Sequence, residues 1–228
     1  DFLDAHREAG IVGSNVWFVD GEGRKIRKSD YPLASARIKW CLSFFNPMAH
    51  PTVMARRDML IRAGGYNVDF RYSQDYALYC TLAGITELYN LSDALVLHRF
   101  HEKRVSVAYS GDQFQCVVEI IRRYVSGVIG EDVSAEQVVR ILGSRQGEDD
   151  EVPRIIYKLY KKALSGRSMA AGDESYIRRD AAKKILYRYD LLANGKRLET
   201  VGIGLEADLA YGIATIIYDI LYLVKKSL

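Results

Sequence analysis

An α/β half followed by an all-α region is the architecture this sequence predicts. Two observations carry it. Up to about residue 110, short runs rich in Val, Ile, Trp and Phe alternate with short helical patterns, separated by Gly, Pro and Asn. From Asp112 onward nearly every segment repeats its apolar residues at helical spacing. The boundary falls near Gly111, so the chain divides into 1–110, an α/β part, and 111–228, a helical extension.

The elements follow in order. Phe2 to Ala9 suits the end of a helix, stopped by Gly10. Ile11 to Asp20 reads as a strand, and Asp20-Gly21-Glu22-Gly23 as a turn. Arg24 to Ser35 is polar and basic, which predicts a loop. Ile38 to Phe45 is apolar enough for a short helix. Asn46-Pro47 and His50-Pro51 turn the backbone away from helix. Thr52-Val53-Met54 predicts a short strand, and Arg56 to Arg62 a short helix closed by Gly64-Gly65. Tyr76, Leu78, Tyr79 and Leu82 have helical spacing over Asp75 to Leu82. Ile85 to Tyr89 and Ala94 to Leu97 predict two more strands. Helices are expected over 114–128, 134–142, 152–164, 175–193 and 206–226.

Composition narrows the function class. A hydrophobic fraction of 49% and a charged fraction of 27% are those of a folded domain. Lys+Arg 32 against Asp+Glu 29 leaves a net charge of +3, which argues against nucleic acid as the partner. Cys41, Cys80 and Cys116 are odd in number and widely spaced, with no CxxC, so a reducing, cytoplasmic setting is expected. The chain begins at Asp1 in mid-helix pattern with no signal-like segment, which reads as a piece of a longer protein.

The residues with chemistry lie between Asn46 and Ser106. Asp75 opens a helix, where free backbone N–H groups stabilise a carboxylate. It is either a plain N-cap or a general base aimed into a cleft. His98 and His101, with Arg99, Lys103 and Arg104, follow a strand; imidazole binds divalent metal and guanidinium binds phosphate, or the group is a solvated basic turn. His50 sits between two prolines that restrict its backbone. Gly64-Gly65 either ends a helix or lets a loop approach a substrate.

Together these segments resemble the C-terminal half of a family 2 glycosyltransferase with the GT-A fold. The family pattern runs N-x-(I/M)-x-H-P-(S/T)-V-M, then G-G-Y, then E-D-Y-x-L, then (L/V)-x-Y-R-x-H-x-x-x-(I/V)-S. Here it is met by Asn46 to Met54, Gly64 to Tyr66, Gln74 to Leu78 and Leu95 to Ser106, in that order. Ile11 to Gly23 resembles the family's strand and hairpin. The resemblance implies a nucleotide-sugar donor and transfer with inversion to a hydroxyl on a glycan, lipid or protein acceptor. It implies Asp75 as the base, and His50, Gly64, Gly65, Tyr66 and Gln74 on the acceptor side. Arg99 and Arg104 would hold the diphosphate, with His101 near a Mn²⁺ or Mg²⁺ ion. Asp75 is expected to share a cavity with the cationic corner of Arg99 and His101.

Two departures stand out. Gln74 replaces the family's usual Glu. No Asp-x-Asp metal motif precedes Ile11, so the donor-binding half is expected to lie upstream, and this chain alone is expected to bind a sugar nucleotide poorly. A non-catalytic carbohydrate-binding or scaffolding module is the alternative. The helical extension carries basic clusters on amphipathic patterns, which read as solvated faces. Within residues 205–228, Leu209 to Val224 is apolar but interrupted by Asp219, and Lys225-Lys226 follows. The segment suits packing on other helices or a partner, or else peripheral contact with the inner face of a membrane beside a lipid-linked acceptor.

Overall fold

The computed structural model describes residues 2–99, 110–143, 151–165 and 169–189. The chain divides into two compact units, Asp1–Gly127 and Val128–Leu228.

The first unit is a mixed sheet built around one strand. Helix α1 (Phe2–Ala5) leads into β1 (Ala9–Val19), followed by β2 (Lys25–Lys28), α2 (Ser35–Cys41), a 3-10 turn (His50–Thr52), β3 (Met54–Ala55), α3 (Arg57–Arg62), α4 (Gln74–Ala83), β4 (Glu87–Arg99) and α5 (Ser110–Ile129). Residues 9–16 of β1 are all buried, so this strand is covered on both faces. A strand has two edges. β4 takes one of them in parallel, from Ala9↔Glu87 to Val19↔Arg99. The other is shared by two short antiparallel partners, β3 at Ile11 and Val12 and β2 from Trp17 to Val19. Between them side chains replace a strand: the N–H groups of Ser14 and Val16 donate to Thr52 Oγ1 and Ser29 Oγ, each at 2.9 Å.

Several segments differ from their sequence pattern. The two strands expected around 85–97 are one strand, Glu87–Arg99, interrupted by register shifts near Asn15 of β1. Asn15 Nδ2 donates to the Ser92 carbonyl there, which holds the irregular stretch against β1. The basic loop after the first hairpin contains β2, all four residues of which are exposed; without a buried face it has no alternation to betray it. Thr52-Val53-Met54 splits into the end of the 3-10 turn and the start of the two-residue β3. The first helix ends at Ala5, and Gly10 belongs to β1 rather than to a helix terminus. A side chain at Gly10 would meet Thr86 at 2.5 Å, so close packing explains that glycine.

The core joins α2, α4 and α5 to the sheet. Ile11, Ile38, Leu42, Tyr76, Tyr79, Leu82, Leu88 and Ile121 are fully buried. Each such side chain contributes about 1.5–3 kcal/mol through lost water contact. Two tyrosine hydroxyls satisfy carbonyls at the end of α2: Tyr76 donates to Leu42 O at 2.7 Å and Tyr124 to Lys39 O at 2.9 Å. Arg56 fastens α1, its guanidinium donating to the carbonyls of Ala9 at 2.8 Å, His6 and Leu3.

The described elements of the second unit are all helices. Beyond the end of α5 it holds α6 (Ala135–Ile141), α7 (Glu151–Leu164) and α8 (Ala171–Tyr189). Ser134 and Gln137 form a capping box at the start of α6. Val152, Ile155, Ile156, Leu159 and Tyr160 make the buried stripe of α7, and Ile177, Ala181, Ala182 and Ile185 that of α8. Among the described residues no helix is long and apolar enough to cross a membrane; residues 205–228 lie outside them.

Candidate active site

The site forms where α4 begins. Its N-cap is Ser73, the one described non-glycine residue in the left-handed region, at φ 59° and ψ 29°. Gln113 of α5 donates to its hydroxyl at 3.5 Å. Asp75 is therefore not the N-cap but the second helical residue. Its carboxylate is half-buried, and its Oδ2 accepts from Asn46 Nδ2 at 2.9 Å. Asn46 Oδ1 in turn accepts the Met48 N–H at 3.2 Å. The amide is thus oriented by its own loop, with the nitrogen toward Asp75. Asp75 Oδ1 has no hydrogen-bond partner among the described residues.

One turn further along α4, Tyr79 lies on the same face. It is fully buried, and burial, reinforced by the Asp75 carboxylate and by Tyr66, pushes its phenol far above the usual range, so it keeps its proton. Its hydroxyl shares a 3.1 Å hydrogen bond with His50 Nδ1. His50 is exposed and meets the ring of Tyr66 edge-on, with centroids 5.9 Å apart. Tyr66 is itself 51% exposed. Asn46, Asp75, Tyr79, His50 and Tyr66 so form one continuous corner, lined by a carboxylate, an imidazole and an exposed aromatic face.

The glycines before Tyr66 have a structural task. The Gly64 and Gly65 N–H groups donate to Ile61 O at 3.0 Å and Leu60 O at 2.9 Å, the Schellman closure of α3. Both have positive φ, 79° and 71°. They fix where the chain leaves α3 and so where Tyr66 stands. Gln74 is exposed, and its amide donates to the Arg71 carbonyl at 3.2 Å, away from the carboxylate.

Among the described residues Arg99 has no hydrogen bond to this corner. Asn90, whose amide donates to Pro47 O beside Asn46 at 3.0 Å, pairs with Gly13 of β1, whereas Arg99 pairs with Val19. Six residues of β1 separate the two levels, about 20 Å. Arg99 Nη1 donates to Gly21 O of the hairpin at 3.1 Å. His101 and Arg104 lie outside the described residues. Among the described residues no group of three or more His, Cys, Asp or Glu could hold a metal ion.

Two members of the corner carried no assigned role in the sequence reading. Tyr79 reads there as one more apolar helical position; its spacing of four from Asp75 was the available signal. Asn46 precedes a proline in a loop, and nothing in the sequence pairs it with a residue 29 positions on.

Two curated proteins similar to this chain give the site a context. The O-antigen biosynthesis glycosyltransferase WbnJ of Escherichia coli is 28% identical over 121 residues, 50% of this chain and 45% of that protein. An uncharacterized glycosyltransferase of Haemophilus influenzae is 27% identical over 164 residues, 68% of this chain and 47% of that protein. No protein-family model matches the chain, and no solved structure matches it. The chain spans about half the length of these relatives, and the kinship is to glycosyltransferases in both cases.

Proposed function

We propose that this chain supplies the acceptor side of a family 2 glycosyltransferase with the GT-A fold, and that Asp75 is the general base. The observation that carries the reading is the Asp75 carboxylate itself. One oxygen is tied by Asn46 and the other has no partner among the described residues, in a corner with the exposed His50 and Tyr66. An acceptor hydroxyl placed there gives its proton to Asp75 Oδ1 while its oxygen bonds to the anomeric carbon of a nucleotide sugar. The bond from that carbon to the diphosphate breaks, and inversion follows from attack opposite the leaving group. Kinship with an O-antigen biosynthesis enzyme supports a glycan acceptor built for the cell envelope.

The departing diphosphate needs positive charge. Arg99, Arg104 and His101 are assigned to it by their motif. Among the described residues no group of three or more His, Cys, Asp or Glu could hold Mn²⁺ or Mg²⁺, and His101 lies outside them. Peripheral contact of residues 205–228 with the inner face of a membrane belongs to the same proposal; flotation with liposomes, with and without that segment, tests it.

A non-catalytic carbohydrate-binding module is the second reading, favoured by the engagement of Arg99 with the hairpin carbonyl. One experiment separates the two. In a protein carrying the segment upstream of Asp1, titration with UDP-, GDP- and dTDP-sugars plus Mn²⁺ is expected to show binding. Asp75→Asn is expected to keep that binding and to lower transfer by about 10²–10⁴-fold. Unchanged transfer in Asp75→Asn would remove Asp75 from the base role, and an absence of donor binding would leave the carbohydrate-binding module.

A further inference from the structure

We infer that Asn46 is a positioning residue for the Asp75 carboxylate, which selects Oδ1 as the only oxygen open to an acceptor. This rests on the proposal that Asp75 is the base. A carboxylate on a helix can rotate about its terminal torsion with little resistance, because that torsion is broad and roughly two-fold. Something outside the helix must hold it if a proton is to be taken in one direction. Asn46 is the only described group that donates to Asp75.

The Asn46 amide cannot turn over without loss. Its oxygen accepts the Met48 N–H at 3.2 Å, so rotation would set that oxygen against the Asp75 oxygen and leave an N–H facing an N–H. The loop that carries Asn46 is held in the residues that follow it. Asn90 donates to the Pro47 carbonyl at 3.0 Å, and Thr52 Oγ1 donates to Ala49 O at 2.8 Å. The same loop leads into His50, whose Nδ1 shares a 3.1 Å hydrogen bond with the Tyr79 hydroxyl of α4. Thus β4, the loop and α4 converge on one torsion angle. A misplacement of about 1 Å in such a group is enough to cost a hundredfold in rate.

The two ends of Asn46 can be separated by substitution. Asn46→Asp keeps an acceptor for the Met48 N–H but loses the donor to Asp75 and sets a second carboxylate against it. Asn46→Ala loses both. In a form of the protein extended upstream of Asp1, both variants are expected to lower kcat at least tenfold with donor KM unchanged. Asn46→Ala combined with Asp75→Asn is expected to be no slower than Asp75→Asn alone, because Asn46 acts through Asp75. Thermal melting of each variant checks that the fold persists. If Asn46→Asp turns over at the parent rate, or if the double variant loses a further tenfold, Asn46 is a loop cap only and the inference fails while the base assignment stands. If Asp75→Asn itself keeps full transfer, the base assignment fails first. In this chain alone, the Asn46 side-chain amide resonances are expected to shift on Asp75→Ala; unmoved resonances overturn the pairing whatever the activity.

Discussion

Gly13 and Asn90 touch across the β1–β4 ladder so closely that a Cβ on Gly13 would lie 2.5 Å from Asn90 Oδ1. The asparagine cannot yield. Its Nδ2 donates to the carbonyls of Pro32 at 2.8 Å and Pro47 at 3.0 Å, and its backbone N–H donates to Leu33 O. The same Cβ would press on Met48 Cε and Thr52 Oγ1, each at 3.3 Å, in the loop that carries Asn46 and His50. Gly13→Ala is therefore expected to cost about 1–3 kcal/mol, read from urea denaturation. Asn90→Ala, which removes the side-chain donor from the buried Pro47 carbonyl and the half-buried Pro32 carbonyl, is expected to cost a similar amount. The double variant is expected to be less unstable than the sum, by about 1 kcal/mol, because the clash and the clashing group vanish together. Strict additivity would mean that the contact carries no strain.

Backbone conformation at the two ends of the α3–α4 segment gives an opposed pair of expectations. Gly64 and Gly65 have positive φ and open space around them, so an alanine at either meets only the backbone penalty, about 1–2 kcal/mol. Ser73 meets the same penalty already, at φ 59°. Ser73→Gly relieves it and increases unfolded-chain entropy, for a net change from about zero to 1 kcal/mol of stabilisation. Ser73→Val is expected to destabilise by about 1–2 kcal/mol. Denaturation midpoints for the four variants check the signs. Loss of stability in Ser73→Gly equal to that in Gly64→Ala would show that the N-cap geometry is not strained.

The parts of this fold that show in the sequence are those with a buried face or a turn residue. β1 is marked by its apolar run, α3 by Gly64-Gly65, and α4 and α7 by helical spacing. β2 escapes notice because all its residues face solvent. β4 looks like two strands because Leu91 to Val96 is irregular against β1, and Ser92 and Asp93 are exposed there. Asp75 and His50 stand out as residue types, and the structure places them in one corner. Their connection is not legible, because it passes through Tyr79 and Asn46, whose roles are set by contacts between residues 29 positions apart. How far Asp75 lies from Arg99 is not legible either, for a related reason. Proximity along the motif order says nothing about which end of a long strand a residue occupies.

Acid stability offers a test of α5. Glu119 accepts from Arg122 at 2.7 and 3.0 Å and from Arg123 at 2.6 Å. The Arg122 hydrogen bond first, then Arg123, outweigh burial and hold its carboxyl at about 2, below the ordinary 4.5. A carboxylate depressed in the folded state binds fewer protons there than in the unfolded chain. Its stabilisation is complete above about pH 4.5 and disappears as the pH falls toward 2. The group is a third exposed, so solvent screening limits the effect to about 1 kcal/mol. Glu119→Gln is expected to lower stability by that amount at pH 7 and by nothing at pH 2. The difference between the two proteins in urea midpoint should therefore close as the pH is lowered through 4.5. A gap that stays constant from pH 7 to pH 2 would assign the loss to packing of the side chain, not to its charge.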